Sequence, residues 1–138
     1  MKILDTDMFT LMTAGQPKVT ARLAATAEAV AITIITRIEA LQGRFSFLMK
    51  AANAEELVRA QQWLRHTEAE LARLPVVVID DAAAAEFDSL LAVKGLRRIG
   101  RGDLLIAATT LARKATLVTR NLKDFRKVPG LRVENWAD

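Results

Sequence analysis

Four short apolar stretches decide the fold of this chain: Lys2-Ile3-Leu4, Ala31-Ile32-Thr33-Ile34-Ile35, Val76-Val77-Val78-Ile79 and Thr116-Leu117-Val118-Thr119. Each stretch is too short and too uniformly apolar for a strand of a half-exposed antiparallel sheet. Continuous apolar character is typical of parallel strands, which are buried on both faces. A fifth candidate, residues 131–134, alternates apolar and polar side chains after Pro129-Gly130, and this pattern predicts an edge strand.

Helical patterns fill the intervals between these strands. The predicted helices cover residues 7–14, 18–29, 36–50 and 53–73, then a segment from Asp80-Asp81 to about Lys94, and a last one from Arg101 or Asp103 to Lys114. Strands that alternate with helices predict an α/β fold with right-handed crossovers and a mostly parallel sheet of four to five strands. We see no repeat, low-complexity segment or linker, and therefore predict a single domain over residues 1–138.

The composition excludes several classes of site. The 138 residues are 51% hydrophobic and 26% charged, which is ordinary for a globular protein and excludes a disordered chain. With no cysteine there is no disulfide, thiolate nucleophile or cysteine-ligated metal. The single histidine, His66, cannot build a multi-histidine metal site, and it disfavours a serine–histidine hydrolase. A bound metal would therefore be a hard, oxygen-liganded ion such as Mg²⁺ or Mn²⁺.

Charge and hydropathy give weaker indications about partners and location. The formal net charge of +4 is compatible with a polyanionic partner, although many basic proteins bind no nucleic acid. No apolar run approaches the ~18–20 residues of a membrane-spanning helix. Because a strand pattern begins within the first few residues, we expect no signal peptide and a cytoplasmic protein.

Acidic and amide side chains follow several of the predicted strands. Asp5 and Asp7 follow the first strand, Glu39 lies about one turn into the helix after the second, and Asp103 opens the last helix after Gly100-Arg101-Gly102. Asn121 and Asp124 follow the fourth strand. Ligands of parallel sheets bind at the carboxyl ends of the strands, so these groups are expected to converge there. Several carboxylates in one pocket repel each other, and a divalent cation most simply offsets that repulsion.

Ordinary structural roles compete with this interpretation. Asp5, Asp7 or Asp103 could cap a helix, and Asp124 could stabilise a turn through its own backbone. Glu39 has no capping role inside an apolar segment, so we expect a buried carboxylate that is paired or metal-bound. Asp80 and Asp81 are interpreted as a cap and a first-turn residue, and His66 as a solvated side chain.

Four motifs in this order resemble those of the PIN-domain ribonucleases. They are Ile3-Leu4-Asp5-Thr6-Asp7, residues 34–43 with Glu39, Gly102-Asp103-Leu104-Leu105-Ile106-Ala107-Ala108, and the C-terminal segment from Leu117 through Asn121 and Asp124 to Trp136. The last motif is similar to the VapC toxin branch of the family, and the resemblance covers nearly the whole chain.

This resemblance implies a three-layer fold and a Mg²⁺- or Mn²⁺-dependent endoribonuclease. It further implies the toxin of a toxin–antitoxin pair, neutralised by a cognate antitoxin and usually homodimeric. By position, Asp5, Glu39 and Asp103 match the three acidic motif residues and would be the catalytic metal ligands. Asn121 falls where many members have a fourth acid, and Asp7 stands where asparagine is more usual. Asp124 lies three residues beyond Asn121 and could supply the missing charge.

Substrate-binding residues are less well defined by the sequence. Asp7, Arg101 and Arg120 are candidates beside the motifs, and six arginines near the motifs could hold an RNA backbone: Arg37, Arg44, Arg97, Arg98, Arg101 and Arg120. Each of them could equally be a solvated surface arginine. Apolar side chains of the two middle helices, namely Phe45, Phe47, Leu48 and Trp63, could receive an antitoxin or instead belong to the core or a dimer interface.

Two other interpretations stay open from the sequence. Asp5-Thr6-Asp7 after a strand, with Thr119 after another, also resembles the haloacid-dehalogenase-like phosphatases. However, that family requires a terminal acidic pair after its threonine motif, and Asp103 precedes Thr119 here. The second alternative is a non-catalytic PIN scaffold that binds RNA or protein, against which the retained Asp5, Glu39 and Asp103 argue.

Overall fold

The computed structural model describes all 138 residues as five strands and seven helices. The strands are β1 (Lys2–Leu4), β2 (Val30–Thr33), β3 (Val76–Val77), β4 (Thr116–Val118) and β5 (Arg132–Glu134). The helices are α1 (Thr6–Thr13), α2 (Pro17–Ala25), α3 (Ile34–Met49), α4 (Ala54–Ala72), α5 (Asp81–Leu91), α6 (Arg101–Ala112) and α7 (Leu122–Phe125), with a 3-10 turn at Lys94–Leu96. No helix is long and apolar enough to cross a membrane.

All strand pairs of the sheet are parallel, in the order β3-β2-β1-β4-β5. The chain runs outward from β1 to β3 and then returns to β4 on the other side of β1, so the strand order reverses beside β1. Leu4 aligns with Ile32 of β2 and with Val118 of β4. The residues that follow these three strands therefore begin at one edge, at the switch point where α/β folds bind ligands. The predicted α/β fold and the edge position of β5 are confirmed.

Two apolar clusters cover the opposite faces of the sheet and make the fold three-layered. Ile3 belongs to the cluster under α5 and α6, whereas its neighbour Leu4 belongs to the cluster under α1 and α2. The side chains of a strand alternate between faces, so β1 contributes to both cores. Trp136, which is almost fully buried, closes the second cluster.

Several predicted boundaries are wrong for identifiable reasons. β2 ends at Thr33 rather than at residue 35, because the Thr33 hydroxyl accepts the Thr36 N–H and begins α3 there. β3 has only two residues, and Val78 and Ile79 are exposed instead of buried. Helix α2 ends at residue 25 rather than 29, where the backbone becomes extended. The short α7 and the 3-10 turn were not predicted as elements.

The structure agrees with the interpretation of Asp80, Asp81 and His66 from the sequence. Asp80 is its cap and accepts the Ala83 N–H at 2.9 Å, and Asp81 lies in the first turn. His66 is exposed on α4, with Nε2 3.2 Å from the Thr13 carbonyl oxygen.

Candidate functional site

Asp5 is the one buried member of the acidic cluster, which consists of Asp5, Asp7, Glu39, Asp103 and Asp124. It directly follows β1 and caps α1, with Oδ1 accepting the Met8 N–H at 2.8 Å. Its Oδ2 accepts the Thr119 hydroxyl at 2.5 Å, and the residue is only 5% exposed. Burial raises the pKa of Asp5 to about 6, and the neighbouring Asp7 and Asp103 charges also raise it, while the two hydrogen bonds act in the opposite direction. The Asp5 carboxylate is therefore firmly oriented but poorly solvated.

Thr119 holds Asp5 in place and was missed in that role from the sequence. The buried Thr119 hydroxyl donates to Asp5 and accepts the Asn121 N–H at 2.9 Å. The sequence does contain a signal for this contact, because Asp5 and Thr119 each directly follow a strand. Only the register of β1 against β4 shows that the two strand ends are adjacent.

Glu39 contradicts one expectation, because it is exposed instead of buried. The adjacent Ile38 is itself 44% exposed, so this part of α3 does not face the core. Glu39 Oε1 accepts the Thr6 hydroxyl at 2.6 Å, and the Thr6 hydroxyl lies 3.1 Å from the Thr36 hydroxyl. Thr6 therefore orients Glu39 toward the end of β1.

Asp103 lies in the first turn of α6, whose cap is Gly100, and so it is not the capping residue. Burial raises the pKa of Asp103, and the charges of Glu39, Asp7 and Asp124 raise it further. Beside it, a Cβ at Gly102 would lie 3.2 Å from Glu39 Oε2. Glycine at position 102 thus leaves room for the Glu39 carboxylate to lie against the first turn of α6.

Asn121 and Asp124 form a local pair. Asn121 caps α7, with Oδ1 3.4 Å from the Asp124 N–H, and its Nδ2 donates to Asp124 Oδ2 at 2.9 Å. Lys127 Nζ lies 4.0 Å from Asp124 Oδ1. The cap of this turn is therefore Asn121, and Asp124 is a partly neutralised carboxylate at the rim of the cluster.

The three proposed substrate-binding residues occupy different surroundings. Asp7 is exposed and close enough to raise the pKa of both Asp5 and Asp103. Arg120 pairs with Asp138 at 3.2 Å. The Arg101 guanidinium stacks over the Phe87 ring at 5.0 Å. Both arginines are thus engaged within the chain.

The cluster has the donor chemistry of a hard-cation site. Asp5, Asp7, Glu39 and Asp103 form no ion pair with a basic side chain. No three acidic or histidine side chains are grouped closely enough around a common point to hold a metal ion as they stand. The carboxylates of Asp5 and Glu39 accept hydrogen bonds from threonine hydroxyls. The oxygen-only donors and their uncompensated mutual repulsion nevertheless fit Mg²⁺ or Mn²⁺.

A family model matches nearly the whole sequence. The model of the PIN domain covers residues 2–131, and with them every acid of the cluster. The chain belongs to the PIN domain family. The resemblance inferred from the four motifs is thereby confirmed.

The PIN domain is similar to several curated ribonucleases. It is 27% identical to ribonuclease VapC1 of Haemophilus influenzae (strain R2866), over 98% of this chain and 97% of that protein. It is 33% identical to the tRNA(fMet)-specific endonuclease VapC of Salmonella typhimurium over 61% of this chain and 65% of the relative. A match to ribonuclease VapC2 of Rickettsia felis is 55% identical but covers 28% of each chain. The two latter alignments span less than two thirds of the relatives' lengths.

Solved structures share the fold of this PIN domain. It aligns with VapBC2 from Rickettsia felis, solved bound to a DNA fragment from its promoter, with a TM-score of 0.77, 27% identity and 98% coverage of both chains. The DNA-bound VapBC from Salmonella typhimurium aligns with a TM-score of 0.79 and 27% identity, over 98% of this chain and 97% of that one.

Proposed function

We propose that this PIN domain is a metal-dependent endoribonuclease that acts as the toxin of a toxin–antitoxin pair. One observation carries the proposal: Asp5, Glu39 and Asp103 come from three separate elements at one edge of a parallel sheet and have no basic partner. Asp103 is close enough to both Asp5 and Glu39 for their charges to interact. The names of the similar proteins, ribonuclease VapC1 and tRNA(fMet)-specific endonuclease VapC, support the same reaction class.

Asp5, Glu39 and Asp103 would hold Mg²⁺ or Mn²⁺ at this edge. A bound divalent ion supplies polarisation of the phosphoryl oxygen and lowers the pKa of its water, which hydrolysis of an anionic phosphodiester requires. Other residues of the chain orient the carboxylates that would bind the ion. Thr119 fixes the Asp5 carboxylate from one side, and Thr6 fixes that of Glu39 from the other.

A cognate antitoxin is the proposed protein partner. The similar structures from Rickettsia felis and Salmonella typhimurium are VapBC assemblies. Unpaired carboxylates are ready partners for an arginine of such a protein. We therefore expect the product of a neighbouring reading frame to co-purify with the chain, inhibit RNA cleavage and restore growth. A neighbouring protein that neither binds nor restores growth would contradict this part.

We further propose that the protein is a homodimer. Ile38, Phe45 and Met49 of α3 expose 44%, 59% and 68% of their surface, which is a large apolar exposure for one helix. Light scattering of the purified protein should give twice the mass of the chain. Phe45→Ser should shift that mass toward the monomer, and an unchanged dimer would place the interface elsewhere.

RNA cleavage tests the proposed activity against its alternatives. Glu39→Gln and Asp103→Asn each retain side-chain shape but remove a charge, so both should lose most cleavage while keeping the circular dichroism of the wild type. A non-catalytic scaffold would leave internal phosphodiester bonds intact. A dehalogenase-like phosphatase, which membership of the PIN family already disfavours, would release phosphate only from monoesters. Cleavage by both variants at the wild-type rate would refute the site assignment.

A further inference from the structure

A groove of about 320 Å³ extends from the acidic cluster along α1 and α3. Its inner end is formed by Thr6 and Glu39, and its outer end by Arg44 and Thr67. Because Glu39 belongs both to the acidic cluster and to the groove wall, an RNA strand bound at the cluster can extend directly along the groove. The residues at the outer end of the groove are therefore relevant to how the RNA substrate is bound.

Arg44 is held rigidly at that outer end. Its Nε donates to the Thr67 hydroxyl at 3.0 Å, and Thr67 is buried, with 3% exposure. The guanidinium carbon lies 5.0 Å from the centre of the Trp63 ring, over its face. Two contacts thus orient the guanidinium, which reduces the entropy that it loses on binding an anion.

The terminal nitrogens of Arg44 have no partner within the chain. Neither Nη1 nor Nη2 donates a hydrogen bond, and no carboxylate lies within 4.0 Å of the side chain. Arg59, Arg73 and Arg120, in contrast, are paired with carboxylates. Arg44 is a half-buried, preoriented cation with unused donors, as phosphate-binding arginines are.

The spacing along α3 fits a strand that runs from the cluster. Arg44 lies five positions after Glu39, which is about 7.5 Å along the helix axis. We propose that Arg44 binds a backbone phosphate of the RNA near the cleaved bond, with Thr67 and Trp63 as its positioning residues. This inference rests on the proposed ribonuclease function.

The groove wall suits RNA as the occupant. Thr10 and Thr13 line it, and their hydroxyls already donate to the carbonyl oxygens of Thr6 and Thr10. What these hydroxyls still offer is acceptor capacity. A ribose 2′-hydroxyl can donate a hydrogen bond to such an oxygen. A phosphate for Arg44 and a donor for the threonines are both present in RNA.

The salt dependence of RNA binding tests the assignment without requiring catalysis. Affinity for a single-stranded RNA of about twelve nucleotides is measured in EDTA across a series of salt concentrations. Arg44→Gln should weaken binding about tenfold and reduce the slope of log affinity against log salt by about 0.7, since one phosphate contact is lost. Thr67→Val should weaken binding but keep the slope, because the charge of Arg44 remains.

Arg65→Gln is the matched control. Arg65 lies exposed on α4, two residues from Trp63, and does not line the groove. The control substitution removes the same charge and should leave the slope unchanged. Thermal unfolding of each variant shows whether the fold is retained.

Three results would overturn the assignment of Arg44: unchanged RNA affinity, an unchanged slope in Arg44→Gln, or an equal loss of slope in Arg65→Gln. Unchanged RNA binding together with weaker inhibition by the antitoxin would also overturn the assignment, and would indicate that the groove binds a protein instead of RNA. If the wild type cleaves RNA in any of these cases, the proposed function survives. Absence of RNA cleavage by the wild type with Mg²⁺ or Mn²⁺ would instead refute the function itself.

Discussion

Replacing Asp5 by asparagine should stabilise the metal-free protein at neutral pH while destroying its activity. The pKa of Asp5 is about 6 in the folded protein against an ordinary value of 3.8, chiefly because the carboxylate is buried. A carboxyl group whose pKa rises on folding is stabilising below pH 3.8, and that contribution is lost as the pH increases through 6. Above pH 7 the folded protein therefore carries an unfavourable buried charge.

The size of the effect follows from the pKa and the hydrogen bonds. At 1.36 kcal/mol per pH unit, the rise from 3.8 to about 6 costs the folded protein about 3 kcal/mol at neutral pH. The asparagine side chain of the variant retains an acceptor for the Met8 N–H but loses the acceptor for the Thr119 hydroxyl, at a cost of about 1 kcal/mol. Asp5→Asn should thus be about 2 kcal/mol more stable than the wild type at pH 7.5, and within about 1 kcal/mol of it at pH 4.

Urea unfolding in EDTA at pH 4, 5.5 and 7.5 measures this difference in the free energy of unfolding. Asp88→Asn, an amide substitution at an exposed residue of α5, is the control and should not reproduce the gain with pH. Addition of Mg²⁺ at pH 7.5 should stabilise the wild type but not Asp5→Asn, because a ligand stabilises the state that binds it. A difference between Asp5→Asn and wild type that stays constant from pH 4 to 7.5 would refute the reasoning.

Five further substitutions, at four positions, test other parts of the site. Asp124→Asn should lower RNA cleavage less than loss of Asp5, Glu39 or Asp103 does, and raised Mn²⁺ should partly restore its activity. Asn121→Asp should tighten Mn²⁺ binding, as measured by calorimetric titration. Two equal tight Mn²⁺ sites in the wild type would contradict these secondary roles of Asp124 and Asn121. Gly102→Ala should lower cleavage about tenfold with little loss of stability, because the added Cβ displaces the Glu39 carboxylate. Wild-type activity of this variant would show that Glu39 can move without loss of function. Thr6→Val should lower activity by releasing Glu39, while Thr6→Ser should retain most of it, as measured by initial rates at several Mg²⁺ concentrations.

Much of the fold, and the edge of the sheet at which acidic side chains lie, could be predicted from the sequence. Strands buried on both faces need unbroken apolar residues, so β1 and β4 are visible locally, and parallel strands place the residues after them at one edge. Asp5 could be placed at that edge for this reason. The single histidine and the absence of cysteine likewise restricted a metal site to oxygen ligands.

The tertiary structure alone decided which side chains meet. The contact of Thr119 with Asp5 spans 114 positions and depends on strand register, and the burial that raises the pKa of Asp5 depends on the packing around it. The exposure of Glu39 overturned an expectation based on its apolar sequence neighbours, because helix orientation determines which residues face solvent. The anchoring of Arg44 by Thr67 of another helix has no local signal either. Local sequence determines which residues end each strand, whereas partners distant in the chain are determined only when the layers pack.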